Sequence, residues 1–257
     1  MWQTQEIKKS LKTKVFGREI HCFDEVGSTQ DIAHTLASSG APEGTLVIAE
    51  IQTHGMGRLS RRWTSPKGGL WFSLVLTPTL ISINQASGLT ILVALSIARA
   101  IRNETNLKPL IKWPNDLYIN TQKIAGILTE SSTVEVAVKY IILGVGINVN
   151  VDSTSIPLEA TSLKNELGKE ISMIDFLAKI LKNIEEDYLR FKESHNLLPF
   201  LKEINELSLV AGKQVKVTLP NKSIEGYAIS IDEHGRLLIE LADGQTQLFT
   251  SGEISLL

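Results

Sequence analysis

Residues 110–130 read LIKWPNDLYINTQKIAGILTE and carry the most informative pattern in the chain. An apolar strand begins this stretch, and Pro114 interrupts it because proline lacks a backbone N–H and fixes its own φ. Four polar side chains lie close to the break or shortly after it: Lys112, Asn115, Asp116 and Lys123. Two ammonium groups, an amide and a carboxylate suit the binding of a nucleotide and its metal. A capped turn uses Asn and Asp equally well, so both interpretations stand on local chemistry alone.

A second stretch, EIQTHGMGRLSRRW at residues 50–63, combines two glycines with a cluster of positive charge. Gly55 and Gly57 carry no Cβ, so the backbone there can approach a ligand closely. Three arginines follow: Arg58, Arg61 and Arg62. Their forked N–H donors fit a polyphosphate or a carboxylate. The segment lacks the third glycine of a dinucleotide-binding loop, and the chain has no GxxxxGK(S/T) phosphate loop, so a solvated basic turn is the alternative.

The pattern around these stretches predicts strands alternating with helices. Residues 27–40, GSTQDIAHTLASSG, predict a short helix that Ser28 or Thr29 caps and Gly40 ends, with Asp31 near its positive end. Strands are predicted at residues 45–52, 68–76, 107–114, 123–131 and 134–151. Longer helices are predicted at residues 83–104, 171–194 and 197–207.

After Leu209 the pattern changes to short strands separated by turns. The strands are predicted at residues 213–220, 223–232, 235–241 and 245–251, with turns at Asn221, Gly235 and Asp243-Gly244. Roughly fifty residues of this kind are typical of a small β-barrel. We therefore predict two domains, one at residues 1–206 and a β domain at residues 207–257.

The composition is that of a globular protein: 43% of the 257 residues are hydrophobic, which is enough for a core. The formal net charge of −2 gives no broad positive field for nucleic acid. A single cysteine, Cys22, excludes an internal disulfide framework and fits a reducing compartment. The longest apolar run, residues 89–98, is too short to span a membrane, and the first residues lack the apolar core of a signal peptide. We expect a cytoplasmic protein that binds neither DNA nor membrane.

Five motifs resemble those of the biotin protein ligases, also called biotin–acetyl-CoA-carboxylase ligases. In chain order they are GSTQ (27–30), EIQTHGMGRLSRRW (50–63), KWPND (112–116), KIAGIL (123–128) and GVGINVN (144–150). KWPND followed by KIAGIL is highly specific in combination, and the resemblance covers nearly the whole chain. It implies an α+β fold: a catalytic domain with a mixed sheet flanked by helices, similar to class II synthetases, followed by an SH3-like β-barrel domain.

The resemblance implies a reaction in two steps. Biotin and ATP, with Mg²⁺, give biotinyl-5′-AMP and pyrophosphate, and the biotinyl group then passes to a lysine of a biotin carboxyl carrier protein or domain. The first step joins one anion to another, so positive charge is needed where they meet. By resemblance, Arg58 and Lys123 bridge the biotin carboxylate and the α-phosphate, with Arg61 on the phosphates. Arg62 is interpreted as a surface charge.

The resemblance also gives roles to the remaining candidates. Ser28, Thr29 and Gln52 match residues that bond the ureido ring of biotin, a polar group that must be hydrogen-bonded when buried. Asp116 matches the carboxylate that orients the acceptor amine and takes up its proton, and Trp63 is placed to cover adenine. The other predicted contacts to biotin or nucleotide are Gln30, Gly55, Met56, Gly57, Lys112, Asn115, Gly126, Gly144, Gly146 and Asn148. Asn115 is in addition the predicted contact to the metal.

Structural alternatives accompany these roles. Ser28 and Thr29 can serve as helix caps, Lys123 can protect a strand edge, and Trp63 can be a core residue. Met56 departs from the family motif, which is usually GRGR. Methionine keeps the backbone of the loop and removes one positive side chain, so we expect an active enzyme in which Arg58 carries the essential charge.

Two other functions stay open on the sequence. A lipoate–protein ligase shares the catalytic fold and the adenylate chemistry, although the GxGR loop, KWPND and a C-terminal β module in one chain argue against it. The other is a biotin-binding regulatory protein, because some family members repress transcription through an N-terminal helix-turn-helix domain. Only 26 residues precede GSTQ, too few for such a domain, so we expect a ligase without DNA binding. A monomer and a homodimer are both compatible with the sequence.

Overall fold

The computed structural model describes residues 2–77, 83–134 and 137–257. A first sheet contains β1 (Ile20–Val26), β2 (Leu46–Gln52), β3 (Leu70–Leu76), β4 (Leu110–Lys112), β5 (Asp116–Ile119), β6 (Gln122–Val134) and β7 (Ala137–Ile147). A second sheet contains β8 (Lys213–Leu219), β9 (Lys222–Ile231), β10 (Leu237–Glu240), β11 (Thr246–Phe249) and β12 (Glu253–Leu256). The α-helices are α1 (Thr4–Ser10), α2 (Thr29–Ser38), α3 (Ile83–Thr105), α4 (Leu163–Leu167), α5 (Met173–Ser194) and α6 (Leu201–Glu206).

The first sheet is mixed, with the strand order β1-β2-β3-β7-β6-β5-β4. Strands β1 and β2 run parallel, and all other neighbouring strands run antiparallel. The hairpin of β6 and β7 lies in the middle of the sheet, because β3 pairs with β7 on one side and β5 pairs with β6 on the other. The motifs KIAGIL and GVGIN are therefore neighbours at the centre of the fold.

The two faces of this sheet are covered differently. Along β7, Ile141 and Leu143 belong to the core formed with α3 and α5, whereas Ile142 packs with α2 on the opposite face. Gly144 and Gly146 continue the row of Ile142, because side chains alternate between the faces of a strand. Helix α2 therefore covers only part of this face of the sheet. Where the glycines lie, the face carries no side chains and stays open.

The second sheet is antiparallel, with the order β11-β10-β9-β8-β12, and it packs against the first domain. Its apolar residues join the same hydrophobic core. Specific hydrogen bonds fix its position: Trp113 Nε1 donates to Gly235 O at 3.0 Å, and the Asn205 amide both donates to and accepts from the backbone of Ile231. The β4–β5 turn that carries KWPND is thereby in contact with the C-terminal sheet.

The mixed sheet with flanking helices and the separate antiparallel sheet confirm the predicted fold class. The predicted helix at 27–40 is α2, and Ser28 caps it by accepting from Gln30 N at 3.2 Å. The predicted strand at 107–114 is shorter, because only β4 is extended before the turn at Pro114. The division into domains at 206 and 207 stays a prediction; Leu207 and Leu209 exchange backbone hydrogen bonds with Ile111 and so extend the first sheet.

Several elements lie where the sequence predicts none: α1, β1, α4, β5 and β12. Strand β1 shows no alternation because it is the edge strand and most of its residues are half-buried or exposed. Strand β7 is shorter than the predicted strand at 134–151, of which residues 135 and 136 lie outside the described part of the chain. Throughout the three described ranges, no helix is both long and apolar enough to cross a membrane.

A partly buried ion-pair cluster joins three helices behind the first sheet. Arg99 of α3 donates to both carboxylate oxygens of Asp187 on α5 at 2.9 Å and to Glu203 on α6. The hydrogen bonds from Arg99 hold the pKa of Glu203 below its ordinary value. The interaction of ionised Glu203 with Arg99 therefore stabilises the fold fully at pH values above the ordinary pKa of a glutamate. This stabilisation is lost as the pH falls through the lowered pKa of Glu203.

We predict that Arg99→Met lowers the free energy of unfolding by about 3 kcal/mol, because it leaves the buried Asp187 without its charge partner. Arg102→Met is the matched control, since Arg102 lies one turn along the helix, is exposed and is 4.0 Å from Glu203. It should cost under about 1 kcal/mol. Urea unfolding measures both variants, and equal losses would contradict the assignment.

Candidate active site

One cavity of about 370 Å³ opens on the glycine-containing face of the first sheet. Its walls are the N-terminus of α2, the β4–β5 turn, the strands β3, β6 and β7, and the arginine loop (residues 53–63), which contributes residues 56–59 and 61–63. Residues 252–254 of the C-terminal sheet close one side. The cavity is thus lined by residues of all the predicted motifs, together with residues of β3 and β5 and of the C-terminal sheet that no motif includes.

The floor of the cavity is a pair of facing glycines, Gly126 of β6 and Gly146 of β7, on which the indole of Trp63 lies. A Cβ at position 146 would lie 2.6 Å from Trp63 Nε1, and one at position 126 would lie 2.9 Å from Trp63 Cζ3. Lys123 Nζ is 4.9 Å from the centroid of the indole ring. Trp63 Nε1 is buried and has no hydrogen-bond partner among the described residues. Both glycines are therefore required by the position of Trp63.

The end of the cavity at α2 is polar and uncharged. Gln52 Oε1 accepts from the backbone N–H of Thr29 at 2.8 Å and from Thr29 Oγ1 at 3.1 Å. Thr29 Oγ1 is also 2.9 Å from Ser73 Oγ, and Gln52 Nε2 donates to Ser65 Oγ at 2.9 Å. Thr29 and Ser73 are buried, so their hydroxyl groups must be hydrogen-bonded in the folded protein. This end presents several donors and acceptors in a fixed arrangement.

Gln30 extends this polar group toward the centre of the sheet. Its Oε1 accepts from Ser73 Oγ at 2.9 Å. A Cβ at Gly144 would lie 2.5 Å from that oxygen, so Gly144 provides the space that the Gln30 amide occupies. The predicted contact of Gly144 with the ligand is thus, in this structure, a contact with Gln30.

The opposite end of the cavity is positively charged. Lys123 Nζ lies 2.7 Å from Asp116 Oδ1, and Arg58 Nη1 donates to Asn115 Oδ1 at 3.1 Å. Lys112 Nζ donates to the Tyr118 hydroxyl at 3.5 Å. The side chains of Lys123 and Asp116 meet because Asp116 begins β5 and Lys123 follows on the neighbouring strand β6. Three cations thus converge around one carboxylate and one amide.

Burial affects the ionisation of this end. Burial lowers the pKa of the Arg58 guanidinium, and the negative charges of Asp116 and Glu253 partly oppose this lowering. It also lowers the pKa of the Lys112 ammonium, again opposed by Asp116. Among the described residues, the cavity lining contains five cations and only two carboxylates, Asp116 and Glu253, so positive charge is in excess and the site favours an anionic ligand.

The arginine loop is a narrow hairpin rather than an open turn. Trp63 N donates to Gly55 O and Gly57 N donates to Arg61 O, both at 2.8 Å. A Cβ at Gly55 would lie 2.4 Å from Trp63 O. The hairpin therefore requires glycine at position 55, although Gly55 does not line the cavity. At the tip, Leu59 has a φ of 55° and is exposed. A left-handed, exposed leucine costs conformational energy and is typical of a segment with a binding role.

The C-terminal sheet holds the arginines of this loop. Arg61 forms an ion pair with Glu253, and Arg58 Nη1 is 3.5 Å from Gly252 O. Arg62 Nη2 donates to Thr53 O at 2.8 Å, and Arg62 lies at the cavity rim although the sequence indicates a surface charge. Glu253 could not be identified from sequence, because its partner lies almost two hundred residues away in the chain.

All but two of the predicted site residues line the cavity. Those that do are Ser28, Thr29, Gln30, Gln52, Met56, Gly57, Arg58, Arg61, Trp63, Lys112, Asn115, Asp116, Lys123, Gly126, Gly144 and Gly146. Gly55 and Asn148 do not. Asn148 is buried, donates from Nδ2 to Thr161 O at 2.9 Å, and has a buried Oδ1 without a partner among the described residues. Its nucleotide contact stays a prediction.

Other lining residues have no sequence signal of their own: Phe72, Ser73, Tyr118, Leu128 and Val145. They lie within strands whose sequence is apolar or unremarkable, so only the three-dimensional position of each strand shows that these residues reach the cavity. In the described ranges, no three His, Cys, Asp or Glu side chains come together as a metal-binding group.

Comparisons with known proteins identify the family of the chain. A model of the biotin/lipoate A/B protein ligase family matches residues 23–148, and a model of the biotin protein ligase C-terminal domain matches residues 210–257. The bifunctional ligase/repressor BirA of Bacillus spizizenii is 38% identical over 251 residues, which cover 96% of this chain and 77% of that protein. The biotin–acetyl-CoA-carboxylase ligase of Mycobacterium tuberculosis is 28% identical, with 96% and 94% covered.

Among solved structures, the biotin protein ligase from Aquifex aeolicus in complex with biotin and ATP superposes with a TM-score of 0.80 at 35% identity. The match covers 93% of this chain and 99% of that one. The fold is therefore that of the biotin/lipoate class of protein ligases. The chain belongs to the biotin protein ligase family, as its motifs predict.

We predict that Gly146→Ala pushes Trp63 off the floor of the cavity, because the new methyl group would overlap the indole. Tryptophan emission should shift to longer wavelength and become more accessible to acrylamide, and in a Trp63→Phe background the substitution should have no effect. Gly27→Ala is the control, since a Cβ there meets nothing within 4 Å. An unchanged spectrum for Gly146→Ala would show that Trp63 does not lie there in solution.

Proposed function

We propose that this protein joins biotin to ATP as biotinyl-5′-AMP and then transfers the biotinyl group to a lysine of a biotin carboxyl carrier protein or domain. The observation that carries the proposal is a single cavity with a neutral polar end and a cationic end. Biotin has the same division, with a neutral ureido ring at one end and a carboxylate at the other. The family of the chain supports the same reaction.

The neutral end favours biotin over lipoate. Thr29, Gln52 and Ser73 offer donors and acceptors that a ureido ring can satisfy. The dithiolane ring of lipoate has no N–H or C=O group, so its binding would leave these polar atoms without partners. Such a mismatch lowers affinity strongly, because buried polar groups lose water without regaining a hydrogen bond.

The cationic end fits the first chemical step. The biotin carboxylate attacks the α-phosphorus of ATP, a P–O bond to the β-phosphate breaks, and pyrophosphate leaves. Both reactants are anions, so Lys123 and Arg58 reduce their repulsion and stabilise charge on the α-phosphate. Arg61 and Lys112 are placed to contact the phosphates. Trp63 is proposed to cover adenine, which requires its indole to leave the glycine pair on which it rests.

Asp116 serves the second step. The amine of the acceptor lysine attacks the carbonyl carbon of biotinyl-5′-AMP, the C–O bond to phosphate breaks, and AMP leaves. The amine must lose a proton, and its reference pKa is about 10.4, so an adjacent base is needed. Asp116 lines the cavity beside Lys123 and can orient the amine and accept that proton.

Mg²⁺ enters with ATP as part of the substrate. Asn115 is the predicted contact, but its Oδ1 accepts from Arg58 and its Nδ2 donates to Ile127 O. A metal contact at Asn115 requires Arg58 to turn away. Asp116 is the neighbouring carboxylate. The site therefore fits an ion that is coordinated mostly by water and by phosphate oxygens of ATP, which is usual for Mg²⁺.

The test is incubation of the protein with MgATP and either biotin or lipoate, with and without a carrier domain. We expect biotin-dependent exchange of pyrophosphate into ATP, and biotin attached to the carrier lysine. Exchange without transfer would limit the proposal to the first step. Exchange with lipoate alone would support the lipoate ligase instead.

We predict that Lys123→Ala slows adenylate formation by at least about 100-fold, because it removes one of the charges at the reacting centre. Lys182→Ala is the control, since Lys182 forms an exposed pair with Glu186 on α5, away from the cavity. Both variants should melt within a few degrees of the unchanged protein. Pyrophosphate release by Lys123→Ala at the control rate would exclude the role.

We predict that Met56→Arg releases biotinyl-5′-AMP more slowly than the natural Met56 protein. Met56 lines the cavity and lies opposite Arg62 in the loop hairpin, so an arginine there adds charge near the adenylate. A partly exposed ion pair contributes about 1 kcal/mol or less, which limits the change to about tenfold. The dissociation rates of the adenylate from both proteins decide the matter; equal rates, or faster release from the variant, would refute the prediction.

A further inference from the structure

A carboxylate outside the cavity contacts the polar group inside it. Glu130 of β6 accepts from Gln30 Nε2 through its Oε2 at 2.8 Å, and the same oxygen lies 3.3 Å from His34 Nε2. Gln30 and His34 are one turn apart on α2, so both side chains reach Glu130 from the same face of the helix. Neither Glu130 nor His34 lines the cavity.

The contact with Glu130 determines which way the Gln30 amide points. An ionised carboxylate has no hydrogen to donate, so only the NH₂ group of Gln30 can face it. The Gln30 Nε2 group is also 3.4 Å from Ile142 O, a second acceptor on the same side. Gln30 Oε1 must then point toward Ser73. Without an acceptor at Glu130, the two orientations of the amide would differ much less in energy.

The orientation of the Gln30 amide determines which hydroxyl groups of the cavity donate and which accept hydrogen bonds. Because Oε1 can only accept, Ser73 Oγ must give its hydrogen to Gln30. Ser73 Oγ has no second hydrogen, so it is left as an acceptor toward the cavity. A flipped Gln30 would present NH₂ to Ser73, and the order of donors and acceptors would reverse. Glu130 therefore determines the hydrogen-bond polarity of the wall.

The sheet provides space for this arrangement. Gly144 faces Ser73 on β3 and Leu128 on β6, and a Cβ there would lie 2.5 Å from Gln30 Oε1. Glu130 is paired with Ile142 two residues along the same strands. Gly144 thus leaves space for the Oε1 atom of the Gln30 amide, and Glu130 accepts a hydrogen bond from its Nε2 atom.

We propose that Glu130 is a positioning residue for biotin recognition: through Gln30 it makes the Ser73 side of the cavity an acceptor for the ureido N–H groups. This inference rests on the proposed function, because it specifies how the cavity distinguishes a ligand with N–H donors. Glu130 acts on the binding of biotin and has no contact with the cationic end, so ATP binding and turnover are independent of it.

The test uses Glu130→Leu, Glu130→Gln and a matched control. Glu19→Leu is the control, because Glu19 also pairs with a histidine, His21 at 2.8 Å, on the edge strand of the same sheet. The two carboxylates are 41% and 42% exposed and both histidines 32%, so the control removes an equivalent pair away from the cavity. Calorimetry measures biotin binding, and steady-state kinetics give kcat and the KM for ATP.

We expect Glu130→Leu to weaken biotin binding by about tenfold, the effect of losing one well-oriented hydrogen bond between Ser73 and the ligand. The values of kcat and of the KM for ATP should stay unchanged. Glu130→Gln should recover most of the affinity, because its amide oxygen can still accept from Gln30. The Glu19→Leu control should bind biotin normally.

A double-mutant cycle separates positioning from a merely structural role. In a Gln30→Leu background, Glu130→Leu should have no further effect on biotin binding, whereas an additive loss would overturn the inference. It is also overturned if Glu130→Leu binds biotin normally, or if the KM for ATP rises in parallel. If the unchanged protein does not bind biotin at all, the proposed function fails together with the inference; normal binding by the unchanged protein and by Glu130→Leu refutes the inference alone.

Discussion

The cavity exists because the central hairpin of the first sheet lacks side chains on one face. Gly126, Gly144 and Gly146 lie on that face of β6 and β7, next to one another across the pair of strands. An alanine at any of the three would overlap a side chain that forms the cavity, either Trp63 or Gln30. The opposite face of the same strands carries buried apolar residues that pack in the core with α3 and α5: Ala125, Ile127, Ile141, Leu143, Val145 and Ile147. One hairpin therefore serves as core on one side and as binding floor on the other.

The neutral polar residues and the positively charged residues lie at opposite ends of this floor. The neutral residues approach it from α2 and β3, whereas the cations approach from the arginine loop, the β4–β5 turn and the start of β6. The separation matters energetically, because an ammonium beside the neutral end would attract the carboxylate of a ligand to the wrong place. Lys123 and Asp116 meet at 2.7 Å only because β5 and β6 are neighbours, so strand pairing determines the geometry of the reacting centre.

The sequence predicted the parts of the site that are local in the chain. Cap residues such as Ser28, the glycine pairs and the proline turn each act within a few residues, so their roles can be read from spacing. Ser73 and Glu253 could not be found in this way. Ser73 is one polar residue in a buried strand, and Glu253 meets Arg61 only after the C-terminal sheet has packed on the first domain. The edge strand β1 was missed because it has neither alternation nor full burial.

The arginine loop already has acceptors for its charges before any ligand is considered. Arg58 donates to Asn115 and lies near Gly252 O, Arg61 pairs with Glu253, and Arg62 donates to Thr53 O. An anion that enters must replace some of these contacts, so its net gain is the difference between two sets of hydrogen bonds. Two of the acceptors belong to the C-terminal sheet. Anion binding and the docking of that sheet are thereby coupled, which gives the C-terminal domain a part in the site that its distance in sequence conceals.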